Sequence, residues 1–148
     1  MKLSAMNCLA TIAMFAAAAG CGGSYSTSPP SSSGLAGSYT AFQWVTTGGS
    51  GQTNQLVIGS TLQITLNNDG STTGQMHLAA SGGNPAMDFN MAGTWTQSGN
   101  NVDFTQAADT YVRDMLFAIQ PVATGVWDLV GDQVFSGTRV QLTLRHGP

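Results

Sequence analysis

The chain has 148 residues, a formal net charge of −3 and only 7% charged residues, while 42% are hydrophobic. A weakly acidic chain of this kind offers no basic surface to neutralise nucleic-acid phosphates or to bind anionic lipid headgroups. Its two cysteines, Cys8 and Cys21, are too few for a disulfide framework or a cysteine-based zinc site.

Residues 1–20 have the pattern of a signal peptide. Lys2 precedes an uncharged apolar run, Leu3 to Ala19, which is shorter than the ~20 apolar residues of a spanning helix. The run ends in Ala18-Ala19-Gly20-Cys21, which resembles the lipobox of bacterial lipoproteins. The resemblance implies cleavage before Cys21, lipid on its thiol and acylation of the new amino group. The alternative is an ordinary secretory signal cleaved near Ala19.

We therefore expect acyl chains on Cys21 to tether the chain to a membrane of the bacterial cell envelope. The absence of aspartate from the positions after Cys21 favours the outer membrane. Residues 22–34 are mainly Gly, Ser and Pro, a composition that predicts a disordered tether. The predicted division is a signal peptide at 1–20, the lipidated cysteine and tether at 21–34, and one domain at 35–148.

The predicted domain alternates apolar and polar residues with period two, which indicates strands with one buried face. The alternation is clearest at 60–67, and the turn residues at 67–70 (Asn-Asn-Asp-Gly) favour a hairpin. Strands at 37–46 and 126–130 bring the expected number to about eight. Sixteen large apolar residues take inward positions: Leu62, Ile64, Leu66, Met76, Leu78, Phe89, Met91, Trp95, Val102, Phe104, Met115, Phe117, Ile119, Val140, Leu142 and Leu144.

Short connections between these strands favour an antiparallel meander, because parallel strands need long crossovers. A meander of eight strands removes its exposed edges when it closes on itself. We therefore predict an all-β domain, an up-and-down barrel, with a β-sandwich as the alternative. The one helical candidate, Gln106 to Asp114, predicts a single turn.

The first and last strands carry a family resemblance. Gly37-Ser38-Tyr39 looks like the Gly-x-Trp that begins lipocalins, with tyrosine replacing tryptophan, and Leu142-Thr143-Leu144-Arg145 resembles the last lipocalin strand. The whole pattern resembles the small lipocalin-like domains of bacterial lipoproteins. The resemblance implies a barrel of lipocalin type, with Arg145 packed over Tyr39. The alternative is a strand-end tyrosine and a surface arginine.

The first strand is apolar on both faces by simple alternation. Trp44 and Phe42 fall on the face opposite Tyr39, which predicts a patch covered by the loop at 47–55 or by a partner. Core or loop packing is the simpler explanation.

Catalytic and metal-binding patterns are missing from the sequence. The chain has two histidines, His77 and His146, no G-x-S-x-G motif and no paired histidines or cysteines with ligand spacing. We expect no enzymatic activity, no metal and no cofactor, and we expect His77 at the surface.

Trp95, Arg113 and Phe117 are the candidate ligand-binding residues. Trp95 and Phe117 take inward positions, and Arg113 shares the face of Phe117 if its segment is extended. A buried guanidinium there would orient an acidic ligand, provided that a carboxylate offsets its desolvation. The alternative places Arg113 in a rim ion pair with Asp109 or Asp114, or in a helical turn, and places Trp95 in the core.

Two functions follow from these observations. The first is an envelope lipoprotein whose lipocalin-like domain binds a small apolar ligand. The second is a structural or protein-interaction lipoprotein with a filled barrel that contacts another envelope protein. The many large inward residues favour a filled interior, while Gly74 and Gly93 mark the positions at which a pocket could open.

Overall fold

The computed structural model describes residues 30–147, so the predicted signal peptide and Cys21 lie outside the described residues. The elements in this part of the chain are α1 (Ser32–Leu35), β1 (Gly37–Gly48), β2 (Gly51–Asn54), β3 (Thr61–Leu66), β4 (Ser71–Leu78), β5 (Met87–Asn90), β6 (Gly93–Ser98), β7 (Asn101–Gln106), α2 (Tyr111–Asp114), β8 (Phe117–Ala123), β9 (Val126–Phe135) and β10 (Thr138–His146). Neither helix in residues 30–147 has the length and apolar character needed to cross a membrane.

Eight of the strands close into an antiparallel barrel in the order β1-β3-β4-β6-β7-β8-β9-β10. β10 returns to pair with β1 and completes the circle. β2 and β5 are additional short strands that pair with β1 and β4. The all-β, up-and-down barrel predicted from the sequence is therefore confirmed, and the sandwich alternative is wrong. We call the end with Gly37 and His146 the lower end, and the end with Gly48 and Thr138 the upper end.

The barrel interior is filled as the alternation predicts. All sixteen predicted inward residues are buried except Leu78 and Phe89, which are partly buried and pack against the core. Further core residues that the pattern did not include are Leu35, Tyr39, Trp44, Val112 and Leu129. Because each fully buried large apolar side chain contributes about 1.5–3 kcal/mol, this single core is the main source of stability.

A β-bulge in β1 brings both Tyr39 and Trp44 into the barrel. The pairing of β1 with β10 shifts between Ala41 and Gln43, so that Phe42 is the extra residue. One extra residue reverses the inward–outward alternation beyond it. Tyr39 and Trp44 are fully buried, whereas Phe42 is 57% exposed. The prediction that Trp44 lies on the face opposite Tyr39 is therefore wrong.

The residue that covers Tyr39 is His146, one position after the predicted Arg145. The rings of Tyr39 and His146 meet edge to face with centroids 5.0 Å apart. Arg145 lies on the outer face, where it stacks on Phe42 at 3.5 Å and donates two hydrogen bonds to Asp128. The implied packing of Arg145 on Tyr39 is wrong, because neighbouring residues of a strand point to opposite faces.

Residues 30–35 close the lower end of the barrel. Leu35 is fully buried, and its carbonyl accepts a hydrogen bond from the Tyr39 hydroxyl at 2.8 Å. The Gln97 side-chain amide donates to the Pro30 carbonyl at 2.9 Å. α1 thus begins inside the range predicted as tether, 21–34, and packs as part of the folded domain.

Two strand pairs separate toward the upper end of the barrel. β4 pairs with β6 only through Ser71–Thr72, and β7 pairs with β8 only through Asn101–Val102. Above these short ladders, β5 continues the sheet beside β4, and α2 lies in the connection from β7 to β8. This arrangement leaves room for a cavity at the upper end.

Candidate functional site

A cavity of about 440 Å³ lies at the upper end of the barrel. Small-molecule sites in proteins have volumes of about 300–1,000 Å³, so the space is sufficient for a small ligand. The lining comes from the β1–β2 hairpin, the segment from the end of β4 to the start of β5, α2, and the β9–β10 hairpin. We call this space the upper cavity.

Three aromatic rings form an apolar cluster on one side of the upper cavity. Trp44 and Tyr111 meet edge to face with centroids 5.7 Å apart, and Tyr111 lies 6.4 Å from Phe135. Leu78 and Val140 add aliphatic surface to the lining. Aromatic rings pack well against other flat rings in edge-to-face or offset arrangements, so this cluster suits a flat apolar molecule.

α2 positions Tyr111 in this cluster. The segment forms one helical turn, and Val112, which follows Tyr111, is fully buried in the core. Arg113 is the next residue and lies on the outer side, so the turn separates an apolar inner face from a charged outer one. Buried Val112 therefore fixes the turn that carries Tyr111 at the edge of the cavity.

Two hydrogen-bond donors beside the upper cavity have no partner among the described residues. They are Trp44 Nε1 and the Tyr111 hydroxyl, and both atoms are buried. A buried donor without an acceptor costs about 1–3 kcal/mol and is rare in folded proteins. The donors of Trp95 and Tyr39 are, by contrast, bonded to backbone carbonyls at 3.0 Å and 2.8 Å. Both atoms are enclosed by protein, so they are unsatisfied polar groups of the core beside the cavity.

The other unpartnered buried atoms lie close to Tyr111 in sequence. They are Gln106 Oε1 and Thr110 Oγ1. Thr110 occupies the N-cap position of α2 without a capping side-chain hydrogen bond. The connection from β7 to α2 is therefore less completely hydrogen-bonded than the strands around it.

Burial keeps Tyr111 in its protonated, donating form. Desolvation raises the pKa of the Tyr111 hydroxyl well above its usual value near 10. The hydroxyl therefore remains an uncharged donor throughout the physiological pH range.

The residues that line the upper cavity, among those the structure describes, carry no charge. Gln55 provides a fixed polar wall, because its amide donates to Thr46 Oγ1 at 2.9 Å and accepts from Ser60 Oγ at 3.1 Å. Thr53, Asn84 and other neutral residues complete the rim. The site combines an apolar floor with neutral polar walls.

Comparison with known proteins gives this chain no relative. No family model, curated protein or solved structure matches it. The candidate function of this chain therefore rests on the geometry of the upper cavity.

Trp95 and Phe117, two of the predicted ligand-binding residues, lie in the barrel core. Trp95 donates from Nε1 to the Asn67 carbonyl at 3.0 Å, and Phe117 packs edge to face on Phe104 at 5.4 Å. Neither residue belongs to the lining of the upper cavity, as far as residues 30–147 show. Their role in ligand binding stays a prediction, and the structure offers core packing for both.

Arg113 lies on the outside of α2, in the helical turn that was the alternative to an extended segment. Its guanidinium pairs with Asp109 at 2.6 Å and with Asp114 at 2.9 Å. The hydrogen bond from Arg113 lowers the pKa of the Asp114 carboxyl. The structure therefore does not bring Arg113 together with Trp95 and Phe117 in one pocket.

Gly74 and Gly93 do not open a pocket. A Cβ atom at Gly74 would lie 2.2 Å from the Gln63 carbonyl oxygen, and one at Gly93 would lie 2.2 Å from the Thr105 carbonyl oxygen. Both glycines allow neighbouring strands to approach closely. The expectation that a cavity forms at these positions is therefore wrong.

The remaining candidates have simple structural explanations. His77 pairs with Asp88 at 2.7 Å on the surface. No group of three or more potential ligands that could hold a metal ion occurs within residues 30–147. The upper cavity is thus the candidate site of this domain, and the sequence pattern missed it because Trp44 follows a bulge and Tyr111 lies in a turn.

Proposed function

We propose that this protein is an envelope lipoprotein, anchored through Cys21, whose barrel binds a small and largely apolar ligand in the upper cavity. The observation that carries the proposal is the uncharged upper cavity of about 440 Å³, whose lining includes the half-buried rings of Tyr111 and Phe135. A bound apolar molecule would fill this space and cover the two rings.

Burial of apolar surface in the cavity would also favour a ligand. Apolar surface removed from water contributes about 25 cal/mol per Å², and the half-buried rings of Tyr111 and Phe135 offer such surface in the cavity lining. Because most of the lining belongs to paired strands and hairpins, little ordering would be needed on binding. A preorganised site of this kind loses less affinity to entropy than a flexible one.

The second candidate is a structural or interaction lipoprotein without a ligand. The filled core supports it, and so do exposed apolar residues such as Val57 at 80% and Val134 at 61%. These residues lie on different elements, after β2 and near the end of β9, and single exposed apolar residues are normal on protein surfaces. The upper cavity therefore favours the first candidate.

A pair of tryptophan substitutions on β2 tests the proposal. Thr53 lines the upper cavity, whereas its neighbour Gln52 is exposed on the opposite face. Thr53→Trp should fill the cavity and Gln52→Trp should not, although both add the same side chain to the same short strand. The mature chain from Gly22 onwards is exported to a bacterial periplasm, purified, and analysed by native mass spectrometry and by titration with the neutral fluorophore N-phenyl-1-naphthylamine.

The expected result is binding by the parent and by Gln52→Trp, with at least a tenfold loss of affinity in Thr53→Trp. Equal binding by all three proteins would show that the upper cavity is not the site. No bound molecule and no fluorophore binding by any of them would favour the interaction lipoprotein, and crosslinking for protein partners would follow.

A further inference from the structure

The β8–β9 hairpin projects from the lower end of the barrel. β8 begins its pairing with β7 at Phe117 and ends it at Ala118, and β9 pairs with β10 only from Asp128 onwards. Residues 121–127 therefore extend beyond both neighbouring strands and pair with each other. Because a strand rises about 3.3 Å per residue, the turn at Gly125 lies about 10 Å beyond the last pair of β9 with β10. We call residues 121–127 the hairpin tip.

The hairpin tip exposes apolar side chains. Its sequence is Pro-Val-Ala-Thr-Gly-Val-Trp, which carries no charge. Pro121 is exposed, Val122 is 43% exposed and Trp127 is half-buried. Two other turns at the lower end, 67–70 and 98–101, consist of Asn, Asp, Gly and Ser instead. The hairpin tip is therefore an apolar projection beside polar turns.

The carboxylate that follows the hairpin tip in sequence is already paired. Asp128 is 6% exposed and accepts hydrogen bonds from Arg145 Nε at 3.1 Å and from Arg145 Nη2 at 2.9 Å. Arg145 also stacks over the exposed ring of Phe42. An unpaired carboxylate would oppose contact with an apolar surrounding, because removing its water is unfavourable. The ion pair therefore removes this obstacle beside the hairpin tip.

The backbone of the hairpin tip also suits an apolar surrounding. Ile119 donates its N–H to the Asn100 carbonyl at 2.9 Å, on the side of β8 that faces β7. Because alternate residues of an antiparallel strand present their N–H groups to the same side, the nitrogen of Pro121 faces this side beyond the start of β7. Proline has no N–H to leave unpaired there. The free edge thus exposes one donor fewer than it would with another residue.

The chain enters the barrel close to this hairpin. Gln97 donates to the Pro30 carbonyl at 2.9 Å, and Asn100, in the turn that follows β6, donates to the Ile119 carbonyl at 3.1 Å. Only eight residues, 22–29, separate Pro30 from Cys21, a span of at most about 30 Å. Acyl chains on Cys21 would therefore bring the hairpin tip within reach of the bilayer surface.

Resting on the lipid anchor proposed above, we infer that the hairpin tip is a second membrane contact, which lies in the headgroup layer of the bilayer. Tryptophan is enriched at membrane–water interfaces, as Trp127 would be, and exposed apolar side chains such as Val122 are stabilised when they leave water. A protein partner fits the tip less well, because a stable protein interface uses about 20–30 residues on each side and the tip has seven. The acyl chains supply most of the affinity, and the hairpin tip orients the barrel.

Chemical tethering tests this contact without bacterial lipidation. The chain from Cys21 onwards contains one cysteine, so the purified protein is coupled through Cys21 to phosphatidylcholine vesicles that contain a maleimide lipid. Val122→Trp adds a tryptophan at the hairpin tip. Val134→Trp is the matched control, because Val134 is 61% exposed on the upper half of β9. Vesicles with brominated acyl chains quench the fluorescence of tryptophans that contact the bilayer.

Brominated vesicles should quench the added tryptophan of Val122→Trp by about half, because its ring would lie at the interface. Val134→Trp should show no quenching of its added tryptophan. Equal quenching in the two variants would overturn the inference, since the contact would not be specific to the hairpin tip. No quenching of Val122→Trp would also overturn it, and would place the tip in water or against a protein.

A charge at the hairpin tip tests whether apolar burial maintains the contact. Val122→Asp should reduce the quenching of Trp127 at least about twofold, because an aspartate opposes the loss of water, whereas Val134→Asp should leave it unchanged. Trp127→Phe gives the background from Trp44 and Trp95, which are buried in the barrel. Equal quenching in the two aspartate variants would overturn the inference. Because maleimide supplies the anchor, these outcomes are independent of whether bacteria lipidate Cys21, which is tested separately.

Discussion

Tyr39 and Tyr111 show how the same residue type takes different roles at the two ends of one barrel. The Tyr39 hydroxyl donates to a backbone carbonyl and is part of the closed lower end. The Tyr111 hydroxyl is buried beside the upper cavity and has no partner within residues 30–147. Because a paired hydroxyl contributes to stability and an unpaired one does not, the two residues should respond differently to the same substitution.

At neutral pH, Tyr39→Phe should lower the free energy of unfolding by about 1 kcal/mol, because it removes a buried hydrogen bond. Tyr111→Phe should leave it unchanged or raise it slightly, because the lost hydroxyl has no partner. Urea unfolding followed by tryptophan fluorescence measures both values. Equal destabilisation by the two variants would contradict the assignment of Tyr111 as an unpaired donor.

Alkaline pH provides a second test of the tyrosines. Burial raises the pKa of both hydroxyls in the folded chain, whereas in the unfolded chain they ionise near pH 10. Above pH 10 the unfolded state therefore releases protons that the native state retains, and the free energy of unfolding falls as the pH rises. Tyr111→Phe should lose less stability than the parent between pH 9 and pH 11. An identical loss in both proteins would show that Tyr111 ionises freely in the folded state.

Along one edge, strand β4 pairs with two different strands. Its lower part pairs with β6 and its upper part with β5, and Gly74 lies between the two regions. Gly74 has a φ angle of 150°, and its carbonyl accepts a hydrogen bond from Met91. A Cβ atom there would collide with the backbone of β3. The absence of a side chain at this position lets β3 and β4 stay paired where β4 changes partners.

Gly74→Ala should therefore lower the free energy of unfolding by about 3 kcal/mol, because it combines overpacking with backbone strain. Gly82 is the matched control, since it has a φ angle of 58° but open space around its Cβ position. Gly82→Ala should cost about 1 kcal/mol, the penalty of the left-handed conformation alone. Denaturant midpoints at unchanged m-value measure both losses. Similar losses would show that the close approach of β3 does not matter.

The elements also show what the sequence could predict. Alternation identified the inward face wherever a strand is regular, as in β3 and β10. It failed at Phe42, because nothing in the local residue types marks an inserted residue. The alternation therefore placed Trp44 on the wrong face of β1. The alternation runs unbroken through Phe89, Met91 and Trp95, yet the structure has two strands there, β5 and β6, because β4 pairs with β6 in its lower part and with β5 in its upper part. The upper cavity is built largely from hairpins and a turn, for which periodicity gives no signal.

Closure of the barrel gives each of its eight strands a hydrogen-bonded neighbour on both sides. β1 and β10 pair over most of their lengths, so the barrel leaves no long open edge. The extra strands β2 and β5 are four residues each, and short edges are poor templates for further strand pairing. We therefore expect the mature domain to remain monomeric, apart from its proposed attachment to a membrane.

The attachment is tested with the two cysteines of the chain. Cys21→Ser should release the protein into the soluble fraction and abolish labelling with radioactive palmitate, because the acyl chains supply the membrane affinity. Cys8→Ser lies in the predicted signal peptide and should change neither result. Fractionation of bacterial cells that express each variant gives the answer. Continued labelling and membrane association of Cys21→Ser would contradict the lipoprotein assignment.

The position of α1 determines how the proposed ligand would reach the upper cavity of a membrane-anchored protein. Pro30 is fixed at the closed end of the barrel, and only eight residues of chain, 22–29, separate it from Cys21, a span of at most about 30 Å. A lipid anchor would therefore hold the closed end toward the bilayer and direct the mouth toward the aqueous compartment. The proposed ligand would then enter and leave through water, or by direct transfer to a second protein bound at the mouth. It would not enter by lateral diffusion from the anchoring membrane.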